Sequence, residues 1–337
     1  MSKSVKYSIV VAVYNRPEEM EELLHSLNNQ SFKNFELIIV DDGSQISSRE
    51  VYDSYKKKFQ ISYYFTENQG PAMARNFGVN KASGEWIIFF DSDCTIPRDY
   101  FLVVEKFLKE NKIDFFGGPD MMDKSFTYLQ KSINYSMTSL FTTGGIRGGK
   151  KSIDKFLPRS FNMGIKRNAF ISVDGFSNIR QYGEDLDLSY KLLFSNKKSA
   201  LIPDAKVYHK RRTNLFKFFS QMFRSGKGRR FLDEKYSGTF RIFHLFPSFF
   251  SLGLSFMIIF QFLIIDNFFI LNIIYSLYFL TIFLSSSLLN LNPIIGLLSV
   301  LTTITQFLGY GSGYIYGLFR NRYYHIRLSY AIFYDFR

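Results

Sequence analysis

The sequence predicts an α/β fold, a Rossmann-like mostly parallel sheet with helices on both faces, followed by C-terminal transmembrane helices. Three observations predict it. Short β-branched runs alternate with amphipathic helical patterns through the first two-thirds of the chain, the mark of a parallel sheet covered on both sides. Two of those runs stop abruptly at acidic residues, Asp41-Asp42 and Asp91-Ser92-Asp93, and open α/β sheets bind ligands at the carboxyl ends of their strands. The last third is Phe, Ile, Leu and Tyr with few charges, in three stretches each long enough to cross a hydrocarbon core of about 30 Å.

Taken in order, Tyr7 to Val13 is a buried strand. Asn15 or Arg16 caps a helix with Pro17 early and acidic residues in the first turn; Leu23, Leu24 and Leu27 form its apolar stripe. Phe35 to Val40 is the second strand, a helix runs to about Phe59, and Ile61 to Phe65 is the third strand. Gly70-Pro71 opens a helix through Met73, Phe77 and Val79. Trp86 to Phe90 is a strand, Pro97 to Asn111 a helix with Phe101, Val104 and Leu108 on one face, and Ile113 to Phe116 a strand. Signals weaken from Gly117 to Pro158, where Gly144-Gly145 and Gly148-Gly149 flank Arg147 in a stretch that reads as a flexible loop. Asn162 to Ile165 is a short strand, Asp174-Gly175-Phe176 a turn, and Gly183-Glu184-Asp185 opens a helix to about Phe194. Ala200 to Ile202 and Lys206 to Tyr208 are short strands, the second ending at His209.

The net charge of +13 points to an anionic partner: nucleic acid, an anionic bilayer or a phosphorylated substrate. Lys210 to Arg241 concentrates this charge among phenylalanines. Such a segment suits an anionic bilayer surface, and the apolar stretches that follow favour membrane lipid over nucleic acid as its partner. Those stretches are His244 to Ile265, Phe268 to Leu289 and Pro293 to Phe319. Gly309, Gly313 and Gly317 recur at a spacing that lets another helix approach closely. The basic stretch before His244 belongs in the cytosol by the positive-inside rule. The tail carries Arg320, Arg322 and Arg327, and three full crossings would put it outside, against the same rule. The expected organisation is a catalytic domain over 1–209, a basic interface segment over 210–243, a transmembrane region over 244–319 and a basic tail over 320–337. The expected location is a multi-pass membrane protein with a cytoplasmic catalytic domain. Met1 to Lys6 is polar and Ile9 to Tyr14 is too short for a signal-peptide core. The single cysteine, Cys94, precludes an intrachain disulfide and suits a reducing compartment; no Cys/His motif makes it a nucleophile.

Burying an unpaired carboxylate is costly. An Asp-x-Asp at a strand end therefore reads either as a solvated turn or as the seat of a hard divalent cation. Several motifs occur in a fixed order: Val11-Ala12-Val13-Tyr14-Asn15-Arg16, Val40-Asp41-Asp42-Gly43-Ser44, Ala74-Arg75-Asn76-Phe77-Gly78, Asp91-Ser92-Asp93, Asn162-Met163-Gly164-Ile165-Lys166-Arg167, Gly175-Phe176 and Glu184-Asp185. As an ordered set over Lys6 to His209, the chain resembles family-2 inverting glycosyltransferases of the GT-A fold. A looser likeness over Gln221, Arg224, Gly226, Gly228 and Arg229, ahead of the apolar stretches, is similar to the membrane-bound exopolysaccharide branch of succinoglycan type.

The resemblance implies roles. Asp93 binds a divalent metal, Mg2+ or Mn2+, with Asp91 on the metal or the ribose, and a cation there neutralises a departing diphosphate. Asp42 meets the nucleobase, Arg75 contacts the nucleotide, and Ala12 and Tyr14 line the base site. Asp185 is the base that deprotonates the acceptor hydroxyl, and Glu184 orients it or touches the acceptor. His209 is a further candidate metal ligand, with a structural histidine as the alternative. Asp41 reads as a turn cap or a ligand contact, and Asp187 as structural. Processive relatives carry Gln-x-x-Arg-Trp; here Ser225 follows Gln221-Met222-Phe223-Arg224, which favours adding one sugar per encounter. Arg224, Arg229 and Arg230 would then hold the diphosphate of a polyprenyl-linked acceptor. The expected activity is transfer of one sugar from a nucleotide-sugar donor to a lipid-linked or growing saccharide. The alternatives are a metal-dependent nucleotidyltransferase and a non-catalytic nucleotide-binding membrane scaffold.

Overall fold

The structure, a computed structural model, describes residues 5–123, 125–145, 156–179, 183–263 and 269–334, with backbone alone for 260–263, 269 and 320–334. Arg147, Gly148, Gly149 and the side chains of Arg320, Arg322 and Arg327 lie outside the described residues. Strand β1 (Tyr7–Val13) is buried along almost all its length, and α1 (Pro17–Asn28) follows with Pro17 in its first turn and Glu18 and Glu19 at the positive end of its dipole. Next come β2 (Phe35–Asp42), α2 (Arg49–Tyr55), β3 (Ile61–Thr66), α3 (Pro71–Asn80), β4 (Trp86–Phe90) and β5 (Cys94–Thr95). The chain continues through α4 (Tyr100–Glu110), β6 (Phe115–Gly117), β7 (Asp120–Met121), α5 (Tyr128–Thr138), α6 (Leu140–Thr143) and β8 (Asn162–Lys166). After α7 (Arg167–Ile171), α8 (Glu184–Phe194), β9 (Ser199–Leu201) and β10 (Val207–His209) come the long helices α9 (Leu215–Lys235), α10 (Phe246–Leu263), α11 (Phe269–Asn290) and α12 (Pro293–Tyr334).

Seven strands form one sheet in the order β3-β2-β1-β4-β8-β6-β9. Pairing is parallel except at β8, which runs antiparallel to both β4 and β6. Alternation along the strands sorts the core into two faces. Ile9, Val11, Leu37 and Ile39 pack with Leu23, Leu24, Phe101 and Val104 from α1 and α4. Val10, Ile38 and Val40 pack on the other side with Val79, Phe170, Leu188 and Leu192 from α3, α7 and α8. The expected α/β sheet with helices on both faces is therefore present. Its strand order turns back between β1 and β4, so the loops after those two strands flank the switch point where α/β sheets bind ligands. A three-stranded sheet, β5-β10-β7, puts His209 opposite Cys94, one residue past Asp93.

The chain divides into two compact units. The first holds the sheet and ends at Lys210; the second takes in Phe126–Thr142 together with the chain from Arg211 onward. Within the second unit, α5, α9, α10 and α11 pack against α12. The glycine spacing noted in the sequence serves α9: a Cβ on Gly313 would stand 2.0 Å from the Phe223 carbonyl oxygen, and one on Gly309 2.9 Å from that of Phe219. Phe218 and Met222 of α9 are buried against Ile133 and Met137 of α5. Among the described residues, three helices are long and apolar enough to cross a membrane, over Ile242–Ile259, Ile270–Asn290 and Pro293–Phe319.

Candidate active site

Side-chain latches shape the loops at the strand ends. Asn15, in the left-handed region at φ 53°, follows β1. Its side-chain oxygen accepts from the amides of Gln45 (2.7 Å) and Ile46 (2.9 Å), and its own amide donates to Ser44 Oγ at 2.8 Å. The helix cap falls to Arg16. Asp41 accepts from the Ser44 amide and the Tyr63 hydroxyl, a turn-forming role. Asp42 accepts from the amides of Gln69 and Gly70, both at 2.9 Å. Burial pushes the Asp42 carboxyl up against those two bonds. Ala12 is half-buried at the end of β1, and Tyr14 beside it is 47% exposed.

Arg75, on α3, joins the two acidic motifs. Its Nη2 donates to Asp91 Oδ1 at 2.7 Å and its Nη1 to Glu184 Oε1 at 3.3 Å. Its side chain is only 6% exposed, and its guanidinium lies 5.5 Å from the centre of the Phe176 ring. A planar fork of donors suits such a bridge. Sequence reasoning assigned Arg75 to the nucleotide; here it holds the strand-end aspartate and the helix-start glutamate in one crevice. Burial, then the charge of Asp185, keeps the Glu184 carboxyl above its ordinary range even beside Arg75. Asp185, the second residue of α8, accepts from the Leu186 amide on Oδ1 at 2.7 Å, and Arg159 stands 3.8 Å from its Oδ2. Asp187 is fully buried and accepts from Ser177 Oγ at 2.6 Å, the structural role expected of it.

Asp93 lies between Arg16, which donates to its Oδ2, and His209, whose Nε2 is 3.1 Å from its Oδ1. The same Nε2 is 3.9 Å from Asp91 Oδ2, and His209 Nδ1 is 3.9 Å from Asp120 on β7. Burial opposes charge on the imidazole, but Asp93, Asp120 and Asp91 outweigh it and push its pKa up to about 9. Burial likewise opposes charge on Asp93, yet His209 and Arg16 hold its carboxyl well below the usual range. Phe161 stacks on the imidazole with ring centres 5.1 Å apart.

These residues fit a hard divalent cation. Three carboxylates face one imidazole in a buried corner, and Asp93 Oδ1 makes no well-aligned hydrogen bond despite its burial. Ligand atoms of Asp93, Cys94 and His209 lie within 4.8 Å of one another. The thiol is the odd member: burial, then Asp93 and Asp91, raises its pKa far above that of a free thiol, and its sulfur faces the Phe161 carbonyl at 3.7 Å. The donors suited to the cation are Asp91, Asp93 and His209.

The arginines proposed for the acceptor belong to the second unit, on α9. Arg224 is exposed. Arg229 is buried and donates to Asp233 Oδ1 (2.9 Å from Nε) and to the Thr239 carbonyl (2.6 Å). Arg230 is 3.9 Å from Glu234. Sequence reasoning gave Asn15 and Arg16 only a helix-cap role, and gave none to Asp120 or Arg159. Arg16 and Asn15 sat inside a recognised motif, whereas Asp120 lies within the stretch without periodic signal and Arg159 just after it.

Residues 8–179 match the model of Glycosyl transferase family 2. The chain belongs to that family. It is 40% identical over 110 residues to an uncharacterized glycosyltransferase of Rickettsia felis, covering 33% of this chain and 18% of that one. Identity is 32% over 193 residues to one from Haemophilus influenzae, covering 55% and 61%, and 27% over 210 residues to the minor teichoic acid biosynthesis protein GgaB of Bacillus subtilis, covering 60% and 23%. The chain thus spans less than two-thirds of the length of each of these relatives. In fold it resembles mannosyltransferase PcManGT from Pyrobaculum calidifontis, solved with GDP-Man and Mn2+: TM-score 0.63, 13% identity, covering 90% of this chain and 88% of that one. The fold is GT-A-like.

Proposed function

We propose that the chain moves a single sugar, with inversion, from a nucleotide-sugar donor to a polyprenyl-linked or growing saccharide. The work would be done at the cytosolic face of a membrane, in assembly of a cell-surface glycan of the exopolysaccharide or wall-polymer kind. The observation that carries this reading is the Arg75 bridge, which gathers Asp91 and Glu184, and with them Asp93 and Asp185, into one crevice. Tyr14 and Ala12 would take the nucleobase, with the loops latched by Asn15 and Asp42 around it. Asp91, Asp93 and His209 would hold the metal. When bound, a divalent cation supplies positive charge for the departing diphosphate. Asp185 would take the proton from the acceptor hydroxyl as that oxygen attacks the anomeric carbon and the nucleoside diphosphate leaves. Glu184, tied to Arg75, would fix the start of α8 and so the direction of Asp185. The exposed Arg224 is the residue of α9 best placed to meet an acceptor phosphate from solvent, with Arg230 next and Arg229 committed to Asp233.

The test is a panel of nucleotide sugars offered to membranes containing the protein, with and without Mg2+ or Mn2+. We expect a lipid-extractable glycoside, free nucleoside diphosphate and dependence on metal. Asp185→Asn and Asp93→Ala should each lower turnover at least about 1,000-fold. Release of pyrophosphate would mark a nucleotidyltransferase instead, and near-normal turnover by Asp185→Asn would remove it as the base.

A further inference from the structure

The charged helix α9 lies along α12, inside the very window that looks long enough to cross a bilayer. Phe219, Phe223 and Lys227 of α9 run in step with Gly309, Gly313 and Gly317 of α12, backbone against backbone. Around that contact α9 carries Arg224, Lys227, Arg229, Arg230, Asp233 and Glu234. Tyr314 of α12 donates to Asp233 Oδ2 at 3.0 Å, and Asp233 also pairs with Arg229 and stands 3.4 Å from His244. Charged side chains in hydrocarbon are costly, and polar groups there need internal partners. The part of α12 from Gly309 onward therefore belongs at the aqueous interface. Helix α5 extends the polar cover further: Thr302 donates to the Ser132 carbonyl at 3.1 Å, and Ser136 Oγ lies 2.7 Å from Thr302 Oγ1.

Pro293 to Leu308 is sixteen residues. At 1.5 Å per residue that is about 24 Å of helix, short of the roughly 30 Å of a hydrocarbon core. Pro293 to Leu301, clear of α5 as well, is nine residues, about 14 Å. The neighbouring helix agrees in register. Ser286 of α11 meets Ser299 at 2.7 Å, and Tyr278 stacks on Phe307 with ring centres 6.4 Å apart. The first half of α11 thus starts level with the α9 contact, where Tyr275 donates to the Phe250 carbonyl at 2.8 Å. The opening of α10 is at the same level, with Ser248 on the Gly311 carbonyl and Ser251 on that of Phe307.

The far end of this hairpin is apolar and uncovered: Leu291 is 90% exposed, Leu288 and Leu289 74% each. Its two asparagines are answered internally, Asn290 by the Ser286 carbonyl and Asn292 by the amides of Ile294 and Ile295.

We propose that α11 and α12 form a re-entrant hairpin that dips into one leaflet of the bilayer from the α9 side, tip first at Leu288–Leu291, and that none of the described helices crosses. The lipid chains of that leaflet are the partner that covers the exposed leucines. This topology leaves Arg320, Arg322 and Arg327 on the same side as α9, which removes the charge conflict that three crossings create. It stands independently of the sugar-transfer reading, because its test measures labelling and not turnover.

The test uses single cysteines in the full chain, with the buried Cys94 replaced by serine. Lys217→Cys marks α9, Leu291→Cys the tip and Ser329→Cys the tail. Intact cells and inside-out vesicles are treated with a membrane-impermeant maleimide, then again after detergent. We expect the Lys217→Cys and Ser329→Cys proteins to label in the same preparation, and the Leu291→Cys protein to label at least tenfold more after detergent than in either sealed preparation. Labelling of the tail from the face opposite α9, or of the tip from either face of sealed membranes, overturns the hairpin. Failure of the tail variant to label from the α9 face overturns it too.

Discussion

Arg75 shows how much one side chain can decide. Its two forks face Asp91 and Glu184, residues from a strand end and a helix start. A lysine keeps the charge but presents a single point of contact on a flexible stem, so it can satisfy one carboxylate at a time. Arg75→Lys should therefore fold while loosening the crevice. We expect kcat/KM to fall about 100-fold, equivalent to about 2.7 kcal/mol of transition-state stabilisation, and the concentration of metal needed for half-maximal activity to rise. Steady-state kinetics with metal titration would check it; unchanged values would mean the bridge is dispensable. The acidic residues themselves were legible in the sequence because a carboxylate ending an apolar strand is conspicuous. Their cationic counterparts were not. Arg16 and Arg159 reach Asp93 and Asp185 across 77 and 26 positions of sequence, and periodicity carries no information about such distant pairs.

Among the elements, those with a clear apolar period were readable to within a few residues. β1 spans Tyr7–Val13 as its pattern predicts, and α3 begins at Pro71, where Gly70-Pro71 places it. The direction of β8 was not readable. Five residues in extended form alternate identically whichever way they run, and only the neighbours β4 and β6 make the strand antiparallel. Helix α5 was missed for a different reason. Its buried positions include Ser132 and Ser136 beside Ile133 and Met137, so its inner face does not read as apolar until α12 supplies the hydroxyl partners. The glycines of α12, by contrast, announced a close helix contact. Their partner is the basic helix, and the fit is tight enough to predict a penalty. A Cβ on Gly226 would stand 2.0 Å from the Tyr310 carbonyl oxygen, as one on Gly313 would from that of Phe223. Backbone atoms cannot move aside as a flexible side chain can. Gly226→Val or Gly313→Leu should destabilise the second unit by about 1–3 kcal/mol, read as a lower midpoint of thermal unfolding in detergent; an unshifted midpoint would mean α9 does not pack there.

At the scale of the whole molecule, the net charge of +13 and the exposed leucines act on a membrane in ways that salt can separate. Attraction between basic side chains and anionic headgroups is screened, since the Debye length shrinks from about 10 Å at 0.1 M to about 3 Å at 1 M. Burial of apolar surface in lipid is not screened; it gains about 25 cal/mol for each Å² removed from water. The exposed side chains of Leu288, Leu289, Leu291, Ile294 and Leu297 form a continuous sequence patch at the turn between α11 and α12, larger in effect than scattered surface leucines. Membrane attachment should therefore survive 1 M salt, with charge adding only a preference for anionic lipid at low ionic strength. Replacing Leu288, Leu291 and Leu297 together by serine should shift the balance, so that binding becomes salt-sensitive and at least about tenfold weaker at 1 M. Flotation of the protein with neutral and anionic vesicles at both salt concentrations would measure this. If the triple variant still floats fully with neutral vesicles at high salt, the leucine patch is not what holds the chain to the membrane, and attachment must come from the apolar faces of the other helices.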